Sequence, residues 1–290
     1  VLINTLLCLL GGLMPEPITT VGLGAVAAYL GKDGLNKMLG PTADYLGESL
    51  RDFAQKRAQN VGRIFGKAEQ KLGDKIEQPG QVPPKVLKTI INEGSYSDDE
   101  IAVEYFGGIL ASSRTEQGRD DRGARIGKIL DGLSVYQIRT HYIVYTLVRK
   151  LFKDSGYKFN QEDRPRMQIF IPWDSYVGAM EFSQSEMDQF IPIVNHSFFG
   201  LNTDDLIETF QYGPEEHMKK LCPEVQGGGI IVSPSAFGAE LYLWGYGQGD
   251  KDLAFILNDD EFEDMKGLPV IMNGVIPSDK QHNKKMQPTQ

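Results

Sequence analysis

Histidine is a common metal ligand and general base, and this 290-residue chain has four of them: His141, His196, His217 and His282. None lies in an HxxxH or HExxH pattern, the spacing that places two imidazoles on one helix face around a zinc ion. The acidic run 259–264 lacks the alternating ligands and central glycine of a calcium loop. The sequence therefore indicates no metal site and no catalytic residue. It favours a non-enzymatic role and leaves an enzyme open.

A glycine motif near the start of the chain could bind a dinucleotide. Gly22-x-Gly24-x-x-Ala27 follows the β-branched residues 18–21 (ITTV), which matches the bare dinucleotide fingerprint. A true site also needs a βαβ unit and an acidic residue at the end of the next strand. Here the acidic residues at the required distance, about 20 residues further on, are Asp44 and Glu48, and they fall in a strongly helical stretch. We therefore interpret the glycines as close-packing positions and expect no cofactor.

Composition and cysteine usage restrict the class of protein. Apolar residues make up 41% of the chain and charged residues 24%, which is typical of a globular protein and excludes a disordered chain. Cys8 and Cys222 are far apart and form no CxxC pair, so a disulfide framework is not expected. This cysteine usage fits a reducing compartment.

The net charge of -9 is unevenly distributed. Residues 32–150 contain 19 basic and 16 acidic residues, a net charge of +3, whereas residues 151–290 contain 11 basic and 22 acidic residues, a net charge of -11. Phosphate backbones would be repelled by the acidic half, which makes it a poor nucleic-acid surface. Only the middle of the chain is a candidate for binding anions.

The first 31 residues contain one charged side chain, Glu16. Prolines on both sides of Glu16 divide this segment into two apolar stretches, 1–14 and 18–30, each shorter than the roughly 18 residues that span a bilayer. Three interpretations stay open: a buried helical hairpin, a hairpin that inserts into a membrane, and a segment removed by processing.

Residues 41–76 are predicted to form one long amphipathic helix. Its apolar stripe, at intervals dominated by three and four, consists of Leu46, Leu50, Phe53, Ile64, Ala68 and Leu72. Its other face is rich in lysine and arginine, and a basic amphipathic helix can lie on an anionic membrane. The candidate membrane-binding residues are Arg51, Lys56, Arg63 and Lys67. The alternative is a surface helix whose basic face is solvated.

Two sequence patterns are typical of capping boxes, Ser97 to Glu100 and Ser134 to Gln137, and each precedes a predicted helix. Between these helices lies a polar, glycine-containing segment that we predict to be an exposed loop running into a helix. It carries the candidate nucleic-acid-binding residues Arg114, Arg119, Arg122 and Arg125.

After residue 153 the pattern changes to short apolar runs bounded by proline and glycine. Residues 167–171 and 229–232 are predicted strands, and Ser233-Pro234 is predicted to open a helix that ends near Gly245 or Gly247. The predicted fold is mainly α: a helical N-terminal domain followed by a smaller α+β, winged-helix-like domain. The predicted divisions are 1–31, 32–152, 153–276 and a frayed tail, 277–290.

Several stretches in this order resemble the Abi-alpha (abortive infection alpha) family of bacterial proteins. The resemblance covers roughly residues 35–150, with a weaker echo at 230–244. The stretches are LGPTADYLGE (39–48), VPPKVL (82–87), DDE (98–100), YFGGILAS (105–112) and SPxxFGxEL (233–241). These are caps and apolar faces, so no catalytic residue is carried over. The resemblance implies a bacterial protein of antiphage defence, in which infected cells stop growing or die.

We therefore expect a defence effector that acts without catalysis, through membrane perturbation or a protein partner. The expected partners are an anionic membrane, another protein or a second copy of the chain, and the expected location is the cytoplasm with peripheral association at the inner membrane. The alternative is a regulator that contacts nucleic acid through the arginine-rich segment and a winged-helix-like module, although the charge disfavours nucleic acid.

Overall fold

The computed structural model of the protein describes residues 48–278, with side chains from Lys56 onward except that of Asp259. The apolar segment 1–31, the glycine fingerprint, the stretch 39–47, most of the predicted tail and the side chain of Arg51 lie outside the described residues.

Residues 48–278 contain ten α-helices and four short strands, together with five short 3-10 helices. The helices are α1 (Glu48–Leu72), α2 (Pro84–Asn92), α3 (Glu100–Ser112), α4 (Arg122–Gly132), α5 (Val135–Phe152), α6 (Trp173–Met180), α7 (Gln184–Met187), α8 (Phe190–Thr203), α9 (Glu215–Leu221) and α10 (Ala236–Gly245). The strands are β1 (Ile169–Pro172), β2 (Ile207–Gly213), β3 (Gly229–Pro234) and β4 (Ile276–Pro277). The predicted class, mainly α with a small α+β part towards the C-terminus, is confirmed.

The chain forms two compact units. The described part of unit one comprises residues 48–132 and 244–250, and that of unit two comprises 133–243 and 251–278. Helix α5 therefore belongs to unit two, whereas the boundary expected at residue 152 assigned it to the N-terminal domain. Its buried tyrosines, Tyr142 and Tyr145, make their hydrogen bonds within unit two.

Unit one is built around the packing of α1 against α3. Ile64, Ala68 and Leu72 of the predicted apolar stripe are buried. In α3, Gly107 permits close approach of α1, since a Cβ atom at this position would lie 2.5 Å from Cβ of Lys67. A Cβ at the neighbouring Gly108 would lie 1.9 Å from the backbone oxygen of Gly245. The glycine pair therefore lets α3 pack closely on two sides.

The helix starts confirm one predicted cap and correct two. Ser134 and Gln137 form the expected capping box at the start of α5. Helix α3 is instead capped by Asp99, whose carboxylate accepts a hydrogen bond from the amide of Ala102 at 3.0 Å. The helix begins at Glu100, two residues later than a cap at Ser97 requires. Helix α10 is capped by Ser235 rather than Ser233, since Ser233 and Pro234 are the last residues of β3.

Unit two contains an antiparallel sheet in the order β2-β3-β1-β4. The predicted strands are present as β1 and β3, while β2 is a strand that we did not predict. In the register of the sheet, Phe210 of β2 pairs with Val232 and Tyr212 with Ile230. Helices α5 and α8 pack together, with α5 against β3 and α8 against β2. On the opposite face, Met218 of α9 packs with Phe170 and Ile231.

Candidate functional site

The basic face of α1 lies along a row of acidic residues. Arg63, Lys67 and Lys71 follow one another at four-residue intervals in α1, and Glu100 and Glu104 have the same spacing in α3, so the two rows run side by side. We call the resulting set of ion pairs the charge ladder. Its members are Lys56, Arg63, Lys67, Lys71, Asp98, Glu100 and Glu104.

The centre of the charge ladder is largely shielded from water. Glu104 accepts from Lys67 at 2.5 Å and from Lys71 at 2.8 Å, and its side chain is 11% exposed. Burial opposes ionisation of Glu104, but the charges and hydrogen bonds of the two lysines outweigh it and lower the pKa of the carboxyl. Burial likewise opposes the charge of Lys67, whose hydrogen bonds to Glu104 and Glu100 leave its pKa raised. Both partners are therefore held in their charged forms.

Three of the four candidate membrane-binding residues, those whose side chains the structure describes, are thus placed in ion pairs with carboxylates. Lys56 pairs with Asp98, Arg63 with Glu100, and Lys67 bridges Glu100 and Glu104. The four cations and three carboxylates of the ladder leave a net charge of +1. An anionic surface attracts a nearby Lys or Arg by about 1 kcal/mol. The pairing therefore reduces the expected attraction of this face from about four such contributions to about one.

The arginine-rich segment is not one continuous cationic surface. Arg114 donates to the backbone oxygens of Lys75 and Gln78, at 3.1 and 2.5 Å, and so holds the chain that follows α1. Burial lowers the pKa of the Arg114 guanidinium. This side chain acts as a structural brace within unit one rather than as an outward-facing phosphate contact.

The other three arginines of the segment, Arg119, Arg122 and Arg125, are exposed. Arg122 forms hydrogen bonds with both carboxylate oxygens of Asp120 and lies 5.4 Å from the ring of Trp244. Arg119 and Arg125 flank it in sequence. Of the four candidate nucleic-acid-binding arginines, Arg114 is therefore used inside unit one, and the charge of Arg122 is balanced by Asp120.

A buried polar network in unit two was missed by sequence reasoning. Nε2 of His141 lies 2.9 Å from the backbone oxygen of Gly238, and the Tyr145 hydroxyl donates to the backbone oxygen of Leu206 and accepts from the amide of Ser235. Burial lowers the pKa of His141 to about 3 and raises that of Tyr145. The imidazole is therefore neutral. Both side chains are fully buried, and these hydrogen-bond partners are backbone groups of neighbouring segments. The network is therefore a structural element of the core.

A second missed feature is the set of large apolar side chains that unit two leaves exposed. Ile191 and Phe199 of α8 are 51% and 58% exposed, and the ring of Phe199 packs edge-on against Phe210 of β2. The repeated aromatic residues between 190 and 212 are a sequence signal that could have located this cluster. These aromatic residues are divided between α8 and β2. They form a cluster only because the helix packs against the strand, and the sequence alone does not reveal that contact.

Within residues 48–278, no helix is both long and apolar enough to cross a membrane, and no group of His, Cys, Asp and Glu is arranged to hold a metal ion. Comparison of the chain with protein-family models, curated proteins and solved structures found no match.

Proposed function

We propose that the protein is a bacterial antiphage effector of the abortive-infection type that acts without catalysis, through a protein partner. Its defence role rests on the resemblance to the Abi-alpha family. The stretch 105–112 that carries part of this resemblance forms the C-terminal part of α3, which contains the close-packed Gly107 and Gly108. We further propose that the protein works in the cytoplasm, with any association at the inner membrane being peripheral.

One contrast between the two units favours a protein partner over a lipid surface. The basic residues that a membrane would attract are bound to carboxylates in the charge ladder, whereas Ile191 and Phe199 present apolar surface to solvent. Exposed apolar surface on one side of an element is a feature of protein contact sites. The exposure of Ile191 and Phe199 on α8 is the main observation that favours a protein partner over a lipid surface.

The function is tested by infecting bacteria that produce the full chain with a panel of phages. We expect fewer plaques and arrested growth of infected cells, compared with cells carrying an empty vector. Equal plaque numbers across the panel would overturn the defence assignment.

The route of action is tested with the purified protein and dye-filled vesicles of anionic lipid. A partner-dependent effector leaves these vesicles intact. Dye leakage at protein concentrations close to those in arrested cells would overturn the partner route and support membrane perturbation.

A further inference from the structure

Strand β2 lies at an edge of the sheet in unit two. It pairs with β3 on one side, and no other strand within the described residues pairs with its opposite side. At the start of the strand, the side-chain amide of Asn202 donates hydrogen bonds to the backbone oxygens of Ile207 and Glu208. These two oxygens are therefore already engaged. The remaining stretch of the strand, 209–213, presents an open edge, and the backbone groups of such an edge can pair with another extended chain.

Helix α8 runs alongside this open edge. Because α5 packs against β3 and α8 packs against β2, the outer side of α8 faces the same way as the free side of the strand. Two contacts fix the alignment: Tyr212 donates to the side-chain oxygen of Asn195, and the rings of Phe199 and Phe210 meet at 5.0 Å between centroids. Four residues of helix advance about 6 Å and two residues of strand about 6.6 Å, so helix and strand stay in step while running in opposite directions.

The outer side of α8 presents two large apolar side chains along the edge, with the polar Asn195 between them. Ile191, Asn195 and Phe199 recur every four residues and form one stripe, and its two apolar members are each more than half exposed. An exposed edge strand beside an apolar helix stripe is the geometry used by domains that bind a peptide as an added strand. We call this feature the edge groove, formed by Ile191, Asn195, Phe199, Phe210 and Tyr212.

The charge around the edge groove selects the kind of segment that fits. Residues 181–216 contain no Lys or Arg and eight acidic residues: Glu181, Glu186, Asp188, Asp204, Asp205, Glu208, Glu215 and Glu216. Three of these acids already have a basic partner: Glu181 pairs with Arg139, Glu208 with Arg164 and Glu215 with Lys219. The exposed acids on either side of the strand, Asp204, Asp205 and Glu216, still make the surroundings of the groove negative. A second copy of β2 paired antiparallel would bring the acids at 204–205 against those at 215–216. A cationic segment meets an attractive field instead.

We propose that the edge groove binds an extended segment of a partner protein in which apolar residues alternate with Lys or Arg. The segment adds a strand to β2, its apolar side chains rest on Ile191 and Phe199, and its cations face the surrounding carboxylates. This proposal rests on the proposed partner-dependent function and gives the chemistry of the partner.

The proposal is tested by fluorescence anisotropy with the full chain and two labelled seven-residue peptides, one alternating Val and Lys and the other alternating Val and Glu. We expect the Lys peptide to bind and the Glu peptide to bind at least about tenfold more weakly. Phe199→Ser and Ile191→Ser keep every acidic residue and should each weaken the Lys peptide by about tenfold. Met272→Ser, an exposed apolar position elsewhere in unit two, should have no effect.

Hydrogen exchange of the same complex locates the peptide, and slower exchange of amides 209–213 is expected. Equal binding of the two peptides, full binding by Phe199→Ser, or protection confined to other strands would overturn the proposal. A dimer in sedimentation that Phe199→Ser dissociates would assign the edge to a second copy and overturn it as well.

Phage growth is a separate readout that distinguishes the two proposals. Peptide binding without any effect on phage overturns the proposed function and leaves the groove standing. Defence that persists in a chain unable to bind the peptide leaves the defence role standing and overturns the groove on α8 and β2 as its partner site.

Discussion

Glu104 lies between Lys67 and Lys71, and its two carboxylate oxygens accept one hydrogen bond from each lysine. The three side chains come from helices that are about 35 residues apart in sequence and are largely shielded from water. The basic face of α1, which on its own has the appearance of a membrane-binding surface, is therefore an internal contact of unit one.

Replacing Glu104 by Gln should destabilise unit one by about 3 kcal/mol, because it removes the carboxylate that Lys71 pairs with and leaves the poorly hydrated Lys67 with Glu100 alone. Urea denaturation followed by circular dichroism measures the change. Glu215→Gln, which breaks an exposed pair with Lys219 within α9, serves as the matched control and should leave the midpoint unchanged. A Glu104→Gln midpoint equal to that of the control would show that the charge ladder contributes nothing.

His141 should make the stability of unit two depend on pH. Burial lowers its folded-state pKa to about 3, so the unfolded chain takes up a proton near pH 6.5 that the native state cannot bind. The contribution of His141 to the free energy of unfolding is fully present above about pH 6.5. As the pH decreases towards 3, the free energy of unfolding falls by up to about 1.4 kcal/mol per pH unit. His141→Gln should flatten the dependence between pH 6.5 and 5. An unchanged slope in this variant would contradict the neutral, buried imidazole.

Removing the Tyr145 hydroxyl should destabilise unit two by about 2 kcal/mol. In Tyr145→Phe the buried amide of Ser235 and the backbone oxygen of Leu206 each lose a hydrogen-bond partner. Tyr136→Phe is the control, since its hydroxyl binds the side chain of Glu186 near the surface, and a loss below about 1 kcal/mol is expected. Thermal unfolding of both variants separates the two cases, and equal losses would contradict the assigned network.

Replacing a glycine of unit one by alanine should change stability in opposite directions at Gly107 and at Gly66. Gly107→Ala places a Cβ 2.5 Å from Cβ of Lys67 and 3.1 Å from the backbone oxygen of Ile64, so α1 and α3 must move apart at a cost of about 1–3 kcal/mol. Gly66→Ala, in α1 itself, meets no atom within 4 Å and should stabilise the helix by about 0.5–1 kcal/mol. Denaturant midpoints that shift in the same direction would refute this description of the α1–α3 contact.

Features that depend on neighbouring residues could be predicted from the sequence, and features that depend on distant residues could not. Two features are local: the apolar spacing from Ile64 to Leu72 and the reciprocal cap between Ser134 and Gln137. Residue pattern and spacing are therefore sufficient to predict them. The pairing of Lys67 with Glu104 exists only because α1 packs on α3, which periodicity does not reveal. The basic stripe was therefore identified correctly as a face of a helix, while its acidic partners were missed.

Strand β2 was missed for a related reason. Its outward residues Glu208, Thr209 and Gln211 are polar and exposed, and few of its residues are fully buried, so the short segment lacks the apolar run that revealed β1 and β3. The edge of the sheet and the exposed Phe199 beside it become visible only when helix and strand are placed together.

The most direct measurement is phage yield from bacteria that produce either the full chain, its Phe199→Ser variant or its Met272→Ser variant at equal levels. We predict that the full chain and Met272→Ser both lower the yield and arrest infected cells, while Phe199→Ser restores the yield to that of cells without the protein. A yield that none of the three proteins lowers, or one that Phe199→Ser lowers as strongly as the full chain, would contradict a defence effector that acts through a protein contact at α8.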